Sequence, residues 1–295
     1  MRIVSLLPSA TEILFAIGAG YEVVGVTHEC DFPSEALSLP KLTSSALPHA
    51  ATSADIDRHV RRSLHAGSSL YHLDAELLEE LAPDLIVTQE LCAVCAVSYE
   101  IVDRAAKRLR GDHRIVSLEP SSLEDVFATI AFLGDATGRS ESARDVADAM
   151  RASFSILRAD TQRASRQRVL VLEWTDPPMS AGHWTPELVE YAGATPVLAH
   201  PHANSQTLAW DAVAEADPDA VIVVPCGFDL EKTRAATAEL DAVPMWNALR
   251  ARREGRVFLM DGNAYVNRPG PRLFDSAKIM AELLGHLPVA NPRPL

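Results

Sequence analysis

No run in this chain approaches the ~18 uninterrupted apolar residues that a membrane-crossing helix needs. That absence excludes a helical span. Positive charge is also scarce: 27 Lys and Arg stand against 40 Asp and Glu, for a formal net charge of −13. A nucleic-acid surface would want a basic patch, so nucleic acid is not an expected partner. Several catalytic signatures are missing. There is no G-x-S-x-G elbow, no P-loop, no G-x-G-x-x-G and no H-E-x-x-H. The "GAG" at 18–20 follows an apolar helical stripe and does not open one, so it is not a phosphate loop. An enzyme is not the expected reading. Thiols are few, four in 295 residues, and two of them fall within "TQELCAVCAVS" (88–98).

What is present is the composition of a globular protein, 47% apolar and 23% charged, long enough for two domains. The N-terminal "MRIVSLLPSATEILFAIGAG" mixes an apolar run with Pro8, Ser9, Thr11 and Glu12. It reads as a strand and a helix of the fold, not as a secretion signal. The expected location is therefore the cytoplasm, where thiols stay reduced and a structural disulfide is disfavoured. It becomes the periplasm if the chain as given is a processed form.

Strand-like runs alternate with helical ones: "RIVSLL" (2–7), "EVVGVT" (22–27), "DLIVTQ" (84–89) and "RIVSL" (114–118). "SATE" (9–12) fits a capping box, with Ser9 as cap and Glu12 reaching back. Between Ser122 and Ala164 the pattern turns wholly helical. Ala143, Val146, Met150, Phe154 and Leu157 recur at helical spacing. A second strand–helix series follows, with "RVLVLEW" (168–174), "AVIVVP" (220–225), "RVFLMDG" (256–262) and a closing helix over 274–287. Alternation of this kind predicts parallel sheets covered by helices. The expected organisation is an α/β lobe (1–120), connecting helices (121–166) and a second α/β lobe (167–295). A ligand of such a fold is expected in a cleft between the lobes, outside the carboxyl ends of the strands.

The loops that follow the strands carry the chemistry-bearing residues. "HECDFP" offers His28, Glu29, Cys30 and Asp31; "ELCAVC" offers Cys92 and Cys95. "TDPPMSAGHW" brings His183 and Trp184 and is entered through Trp174; "CGF" holds Cys226 and Phe228; "NAYVNRPGPR" holds Tyr265, Asn267 and Arg268. Cys30, Cys92, Cys95 and Cys226 are together chemically sufficient to bind Zn or an Fe–S cluster, and each could also simply pack a loop. The aromatic residues offer flat apolar area for a large planar molecule, and Arg268 a cation for its polar rim. His28 and His183 are each either a candidate ligand or a polar wall.

Four stretches carry a family resemblance: "SLLPSATEILFAIGAGYEVVGVTHECDFP", "LLEELAPDLIVTQ", "AVAEADPDAVIVVPCGF" and "VFLMDGNAYVNRPGPRLFD". Together they resemble the vitamin B12 (cobalamin)-binding proteins of ABC importers, in the helical-backbone (class III) periplasmic-binding group. The resemblance implies two Rossmann-like lobes joined by a backbone helix and a non-catalytic solute-binding protein that takes cobalamin or a related corrinoid reversibly. It also implies an ABC permease as partner. The positions that match the family's ligand loops are Asp31, Phe32 and Pro33 in the first lobe, and Trp184, Tyr265 and Arg268 in the second. The thiols of "ELCAVC" and "PCGF" depart from that family. They keep a cytoplasmic, cysteine-ligated metal or Fe–S protein on the same fold as the alternative.

Overall fold

A computed structural model describes residues 1–45, 51–65, 70–89, 99–107 and 112–288. The chain separates into two compact units. The first comprises Met1–Ala51, Asp55–Pro120 and Glu124–Asp148, and the second Thr52–Ala54, Ser121–Leu123 and Ala149–Leu295.

The first unit contains strands β1 (Ile3–Ser5), β2 (Val23–Val26), β3 (Thr43–Ser45), β4 (Tyr71–Leu73), β5 (Leu85–Thr88) and β6 (Arg114–Ser117). Four of them form a parallel sheet in the order β2-β1-β5-β6, with Ile3 opposite Leu85 and Ile86 opposite Ile115. Central strands of a parallel sheet are covered on both faces, so they read as unbroken apolar runs. All seven residues of β1 and β5 are buried accordingly. The short antiparallel pair β3–β4 lies outside that sheet. The helices are α1 (Pro8–Ala16), α2 (Ser53–His65), α3 (Ala75–Leu81), α4 (Tyr99–Ala106) and α5 (Leu123–Ala136).

The capping box expected at Ser9 does not form. Pro8 occupies the first helical turn and Leu7 is the extended residue before it, with no side-chain cap. Proline's fixed φ suits a helix start and it has no N–H to leave unpaired, so the helix begins before Ser9 can cap it. Ser9 and Glu12 are instead buried within α1. Asp74 does cap, its carboxylate accepting the Leu77 N–H at 2.9 Å to start α3.

The long helix α6 (Ser140–Thr161) has 22 residues, about 33 Å of rod. It begins among first-unit residues and ends among second-unit ones. Ala143, Ala147, Met150, Phe154 and Leu157 form its buried stripe, at the spacing that places them on one face.

The second unit is built on β7 (Arg168–Thr175), an eight-residue strand. It is completed by β8 (Pro178–Ser180), β9 (Thr195–Pro196), β10 (Gln206–Thr207), β11 (Ala220–Val223) and β12 (Val257–Leu259). The sheet order is β10-β8-β7-β11-β12, with β9 also pairing with β7. β7, β11 and β12 are parallel, Leu170 standing opposite Val221 and Ile222 opposite Phe258. β8 and β10 add an antiparallel edge that the sequence did not announce. The pair Asp176–Pro177 turns the chain straight back on β7, and the returning strand is only three residues long. Helices α7 (Thr185–Tyr191), α8 (Trp210–Ala216), α9 (Leu230–Glu239), α10 (Pro244–Ala248), α11 (Arg250–Arg253) and α12 (Leu273–Leu283) complete the unit. Leu170, Leu172, Val213, Val221, Val223, Trp246 and Leu249 form one of its apolar cores. Among the described residues, no helix is long and apolar enough to cross a membrane.

Candidate functional site

In the first unit the loop after β2 is held from below. Cys30 is 1% exposed, and its Sγ lies 3.2 Å from Thr11 Oγ1 and 3.3 Å from Thr27 Oγ1. Burial pushes the thiol's pKa up, against hydrogen bonds from those threonines that favour the thiolate. A thiol held in this way is a poor metal ligand, because the thiolate is the ligating form. The Lys41 ammonium donates to the carbonyls of Cys30 and Ala36, at 2.9 Å each, and so pins the loop. His28 packs its ring 5.6 Å from Tyr71, contacts Thr43 Oγ1 through Nδ1 at 2.7 Å, and has Nε2 3.2 Å from Glu29. Above this floor Asp31 is exposed, Phe32 is 45% exposed and Pro33 is partly buried. The apolar ring that the loop presents to solvent is therefore Phe32.

In the second unit several loops are wired into one cluster. Trp174, at the end of β7, is partly buried. Its indole N–H points to the carbonyls of Ser53 (3.3 Å) and Asp176 (3.2 Å), and its ring lies 5.2 Å from that of Phe228, tilted by 59°. The Cys226 N–H donates to the Glu173 carbonyl at 3.2 Å, and the Asn263 N–H to the Phe228 carbonyl at 3.0 Å. These two bonds tie the loop after β11 to β7 on one side and to the loop after β12 on the other.

That last loop, residues 261–268, is the most constrained. Asp261 Oδ1 accepts the N–H groups of Asn263 and Ala264 at 2.9 and 2.8 Å. At Gly262 an added Cβ would fall 2.0 Å from the Pro225 carbonyl oxygen, so only glycine lets the two loops approach this closely. The Asn267 amide donates to the carbonyls of Val224 (3.2 Å) and Gly262 (3.1 Å). Val266 is held at φ +65°, a conformation that a β-branched residue strongly resists. Its N–H donates to Ser276 Oγ at 3.0 Å, and its carbonyl accepts the indole N–H of Trp184 at 2.7 Å. Those two buried bonds compensate the strain, which is typical of functional loops. Tyr265 is partly buried, with the Arg272 guanidinium 5.7 Å from its ring centre. Arg268 is only 6% exposed and donates to Asn263 Oδ1 at 2.9 Å.

The structure thus gathers Trp174, Cys226, Phe228, Tyr265, Asn267 and Arg268 into one network, and joins Trp184 to it through Val266. Trp184, Phe228 and Arg268 are buried, so they frame the loops, while Trp174 and Tyr265 keep accessible faces. Gly262, Asp261, Ser276 and Val266 were not singled out from the sequence. "DG" at 261–262 was the one signal of a tight turn; a strained valine leaves none.

Cys92 and Cys95 lie outside the described residues. Among the described residues, no group of three or more His, Cys, Asp or Glu stands together as a metal site. Neither Zn nor an Fe–S cluster gains support there.

Residues 3–264 match the family described as "Periplasmic binding protein". An uncharacterized ABC transporter substrate-binding lipoprotein of Bacillus subtilis, YvrC, is 24% identical over 292 residues, 95% of this chain and 79% of its own. The vitamin B12-binding protein of Vibrio cholerae is 23% identical over 289 residues, 94% of this chain and 86% of its own. The crystal structure of periplasmic vitamin B12 binding protein BtuF of Vibrio cholerae superposes with a TM-score of 0.67 at 21% identity, over 96% of each chain. A periplasmic heme binding protein from Pseudomonas aeruginosa does so with a TM-score of 0.72 at 22% identity, over 99% of this chain and 94% of that one.

These matches overturn the cytoplasmic expectation, since the relatives are a lipoprotein and periplasmic proteins. That expectation rested on residues 1–20, which contain β1 and α1 of the fold. The reducing-compartment argument against a disulfide falls with it. With a family match that runs from Ile3 to Ala264 and an α/β architecture of two parallel-sheet units, the chain belongs to the periplasmic binding protein family, whose members are substrate-binding proteins and not enzymes.

Proposed function

We propose that this protein is the substrate-binding component of an ABC importer and that it binds cobalamin or a related corrinoid reversibly. The observation that carries the reading is the second-unit loop cluster. There Trp174 and Tyr265 are partly exposed aromatic residues, Tyr265 on a loop held by Gly262, Asn267, the strained Val266 and the buried Arg268. Loops fixed in advance lose little entropy when a ligand arrives. Flat aromatic faces suit a macrocycle. The named function of the Vibrio cholerae relative, which aligns over 94% of this chain, supports the choice of ligand. In the first unit, the loop after β2 exposes Phe32, with Asp31 and Pro33 beside it.

The partner implied is a permease that receives the ligand. No step of bond chemistry is assigned to the protein.

Calorimetric titration with cyanocobalamin tests the reading. Saturable binding at micromolar or lower concentration is expected, with affinity about tenfold weaker in Tyr265→Ala, about 1.4 kcal/mol. The absence of heat and of retention in equilibrium dialysis at high concentration overturns it. Saturable binding of haemin in the absence of corrinoid binding replaces the corrinoid with a porphyrin.

A further inference from the structure

Ser53 stands 121 residues before Trp174, and it meets the end of β7 twice. Its carbonyl accepts the Trp174 indole N–H at 3.3 Å, and its Oγ accepts the Thr175 hydroxyl at 2.7 Å. Ser53 is 0% exposed and Thr175 2%, so the hydroxyl pair is shielded from water. Thr52–Ala54 count with the second unit, although α2 from Asp55 onward counts with the first. A short piece of the N-terminal part of the chain thus belongs to the unit that carries the aromatic cluster.

The ladder itself fixes this end of β7 loosely. Its register against β8 shifts between Leu172 and Trp174, and Thr175 stands opposite Pro178. Proline has no N–H to give a ladder. The indole N–H is shared, since the carbonyl of Asp176, in the turn that follows β7, also accepts it at 3.2 Å. Both bonds exceed the usual N–H···O length of about 2.9–3.0 Å, so neither acceptor fixes the ring alone. Phe228 supplies a third contact, ring to ring, with centroids 5.2 Å apart. The Ser53 carbonyl keeps its place because the hydroxyl pair ties residue 53 to Thr175. Deleting one hydroxyl leaves the other buried without that partner, which is unfavourable. Residue 53 then moves to let the remaining hydroxyl reach water, and its carbonyl moves with it.

We propose that Ser53 is a positioning residue of the ligand site: through its bonds to residues 174 and 175 it holds the Trp174 ring in the orientation that receives the ligand. This role rests on the proposed corrinoid-binding function, in which Trp174 meets the ligand. With its N–H taken by two carbonyls, Trp174 offers the ligand a ring and not a hydrogen bond. A ring fixed in advance loses little freedom when the ligand arrives.

The test uses the full chain as wild type, Ser53→Ala, Trp174→Phe and the double variant, with cyanocobalamin and haemin as probes. In the nitrogen–proton spectrum of isotope-labelled protein, the indole resonance missing from Trp174→Phe belongs to Trp174. In Ser53→Ala that resonance is expected to shift and to exchange faster with solvent, while the other indole resonances and the circular dichroism stay as in the wild type. By calorimetry, Ser53→Ala and Trp174→Phe are each expected to bind cyanocobalamin about five- to tenfold more weakly, the size of one lost buried hydrogen bond. The double variant is expected to bind no more weakly than the weaker single variant, because both changes remove the same support. Thr175→Val deletes the other hydroxyl of the pair; it should repeat Ser53→Ala, and it takes its place if that variant does not fold. The same pattern with haemin, where haemin is the probe that binds, supports the role equally. Losses that multiply in the double variant make Ser53 merely structural and overturn the proposal. An unchanged affinity in either single variant, or an unmoved Trp174 resonance in Ser53→Ala, overturns it as well. In each of these cases the wild type still binds, and the proposed function stands. Failure of the wild type to bind either tetrapyrrole overturns both.

Discussion

Two loops leave the carboxyl ends of parallel strands, one in each unit, and they treat their polar atoms in opposite ways. After β2, Cys30 is folded inward against Thr11 and Thr27, and Lys41 closes the loop over two carbonyls. After β12, residues 261–268 keep a valine at positive φ, with its N–H and carbonyl anchored on Ser276 and Trp184. The first loop contains the more reactive residue types, yet its thiol is core. The second contains few, yet it stores strain. Residue type alone does not separate a strained loop from a packed one; backbone conformation and the destination of each hydrogen bond do.

The largest expected effect comes from breaking the anchor of the strained loop. Trp184→Ala removes a buried ring and the acceptance of its N–H by Val266, and is expected to cost about 3–5 kcal/mol in urea unfolding. A loss below about 1 kcal/mol would mean that the loop holds its shape unaided. Next comes Gly262→Ala, which drives a methyl group into the Pro225 carbonyl. Loops 225–228 and 261–268 must then part, at about 1–3 kcal/mol and with weakened ligand affinity. In the first unit, Cys30→Ser exchanges a buried thiol for a hydroxyl between the same two threonines. About 1 kcal/mol of stability should go, with ligand affinity intact. A drop in bound metal in that variant would return Cys30 to the ligands and erase the contrast between the loops.

The smallest effect lies far from both loops. The Arg168 backbone N–H and the Arg250 guanidinium hold Asp219 below the usual carboxylate pKa. The stabilisation is therefore present above the unfolded value of about 3.9 and is lost as pH falls through the lower folded one. Asp219→Asn should lower the urea midpoint at pH 7, and the gap from wild type should narrow towards pH 3. A gap that does not change with pH would exclude the carboxylate as its source.

Much of the architecture was legible because apolar period and strand–helix alternation are physical requirements of burial. The runs at 84–89, 168–174 and 220–225 became β5, β7 and β11, and the helical spacing through Met150, Phe154 and Leu157 became the buried stripe of α6. Local competition was harder to read. Ser9 had the chemistry of a cap, but the proline before it had already started the helix. The antiparallel edge of β8 and β10 is only five residues in all, too few for a period to show. At the site, the sequence pointed to aromatic and basic residues on strand-end loops. It did not distinguish Trp174 and Tyr265, which keep open faces, from Phe228 and Arg268, which are framework. That division depends on contacts between segments far apart in the chain, such as Trp174 with Phe228 and Trp184 with Val266, 82 residues apart. The location was misread because the opening residues of the sequence were read for an address, whereas the relatives that carry the information are a lipoprotein and periplasmic proteins.

β7 pairs with β11 along one edge, and with β8 and the short β9 along the other. Val169, Leu170, Val171 and Leu172 are all but fully buried there. Their amides sit where the second unit must come apart as a whole before deuterium can enter, so they are expected to be among its last to exchange. Loops 225–228 and 261–268 hang from β11, which pairs with that strand, and from β12, which pairs with β11. The part of the molecule assigned to recognition is thus mounted on a slow-breathing keel.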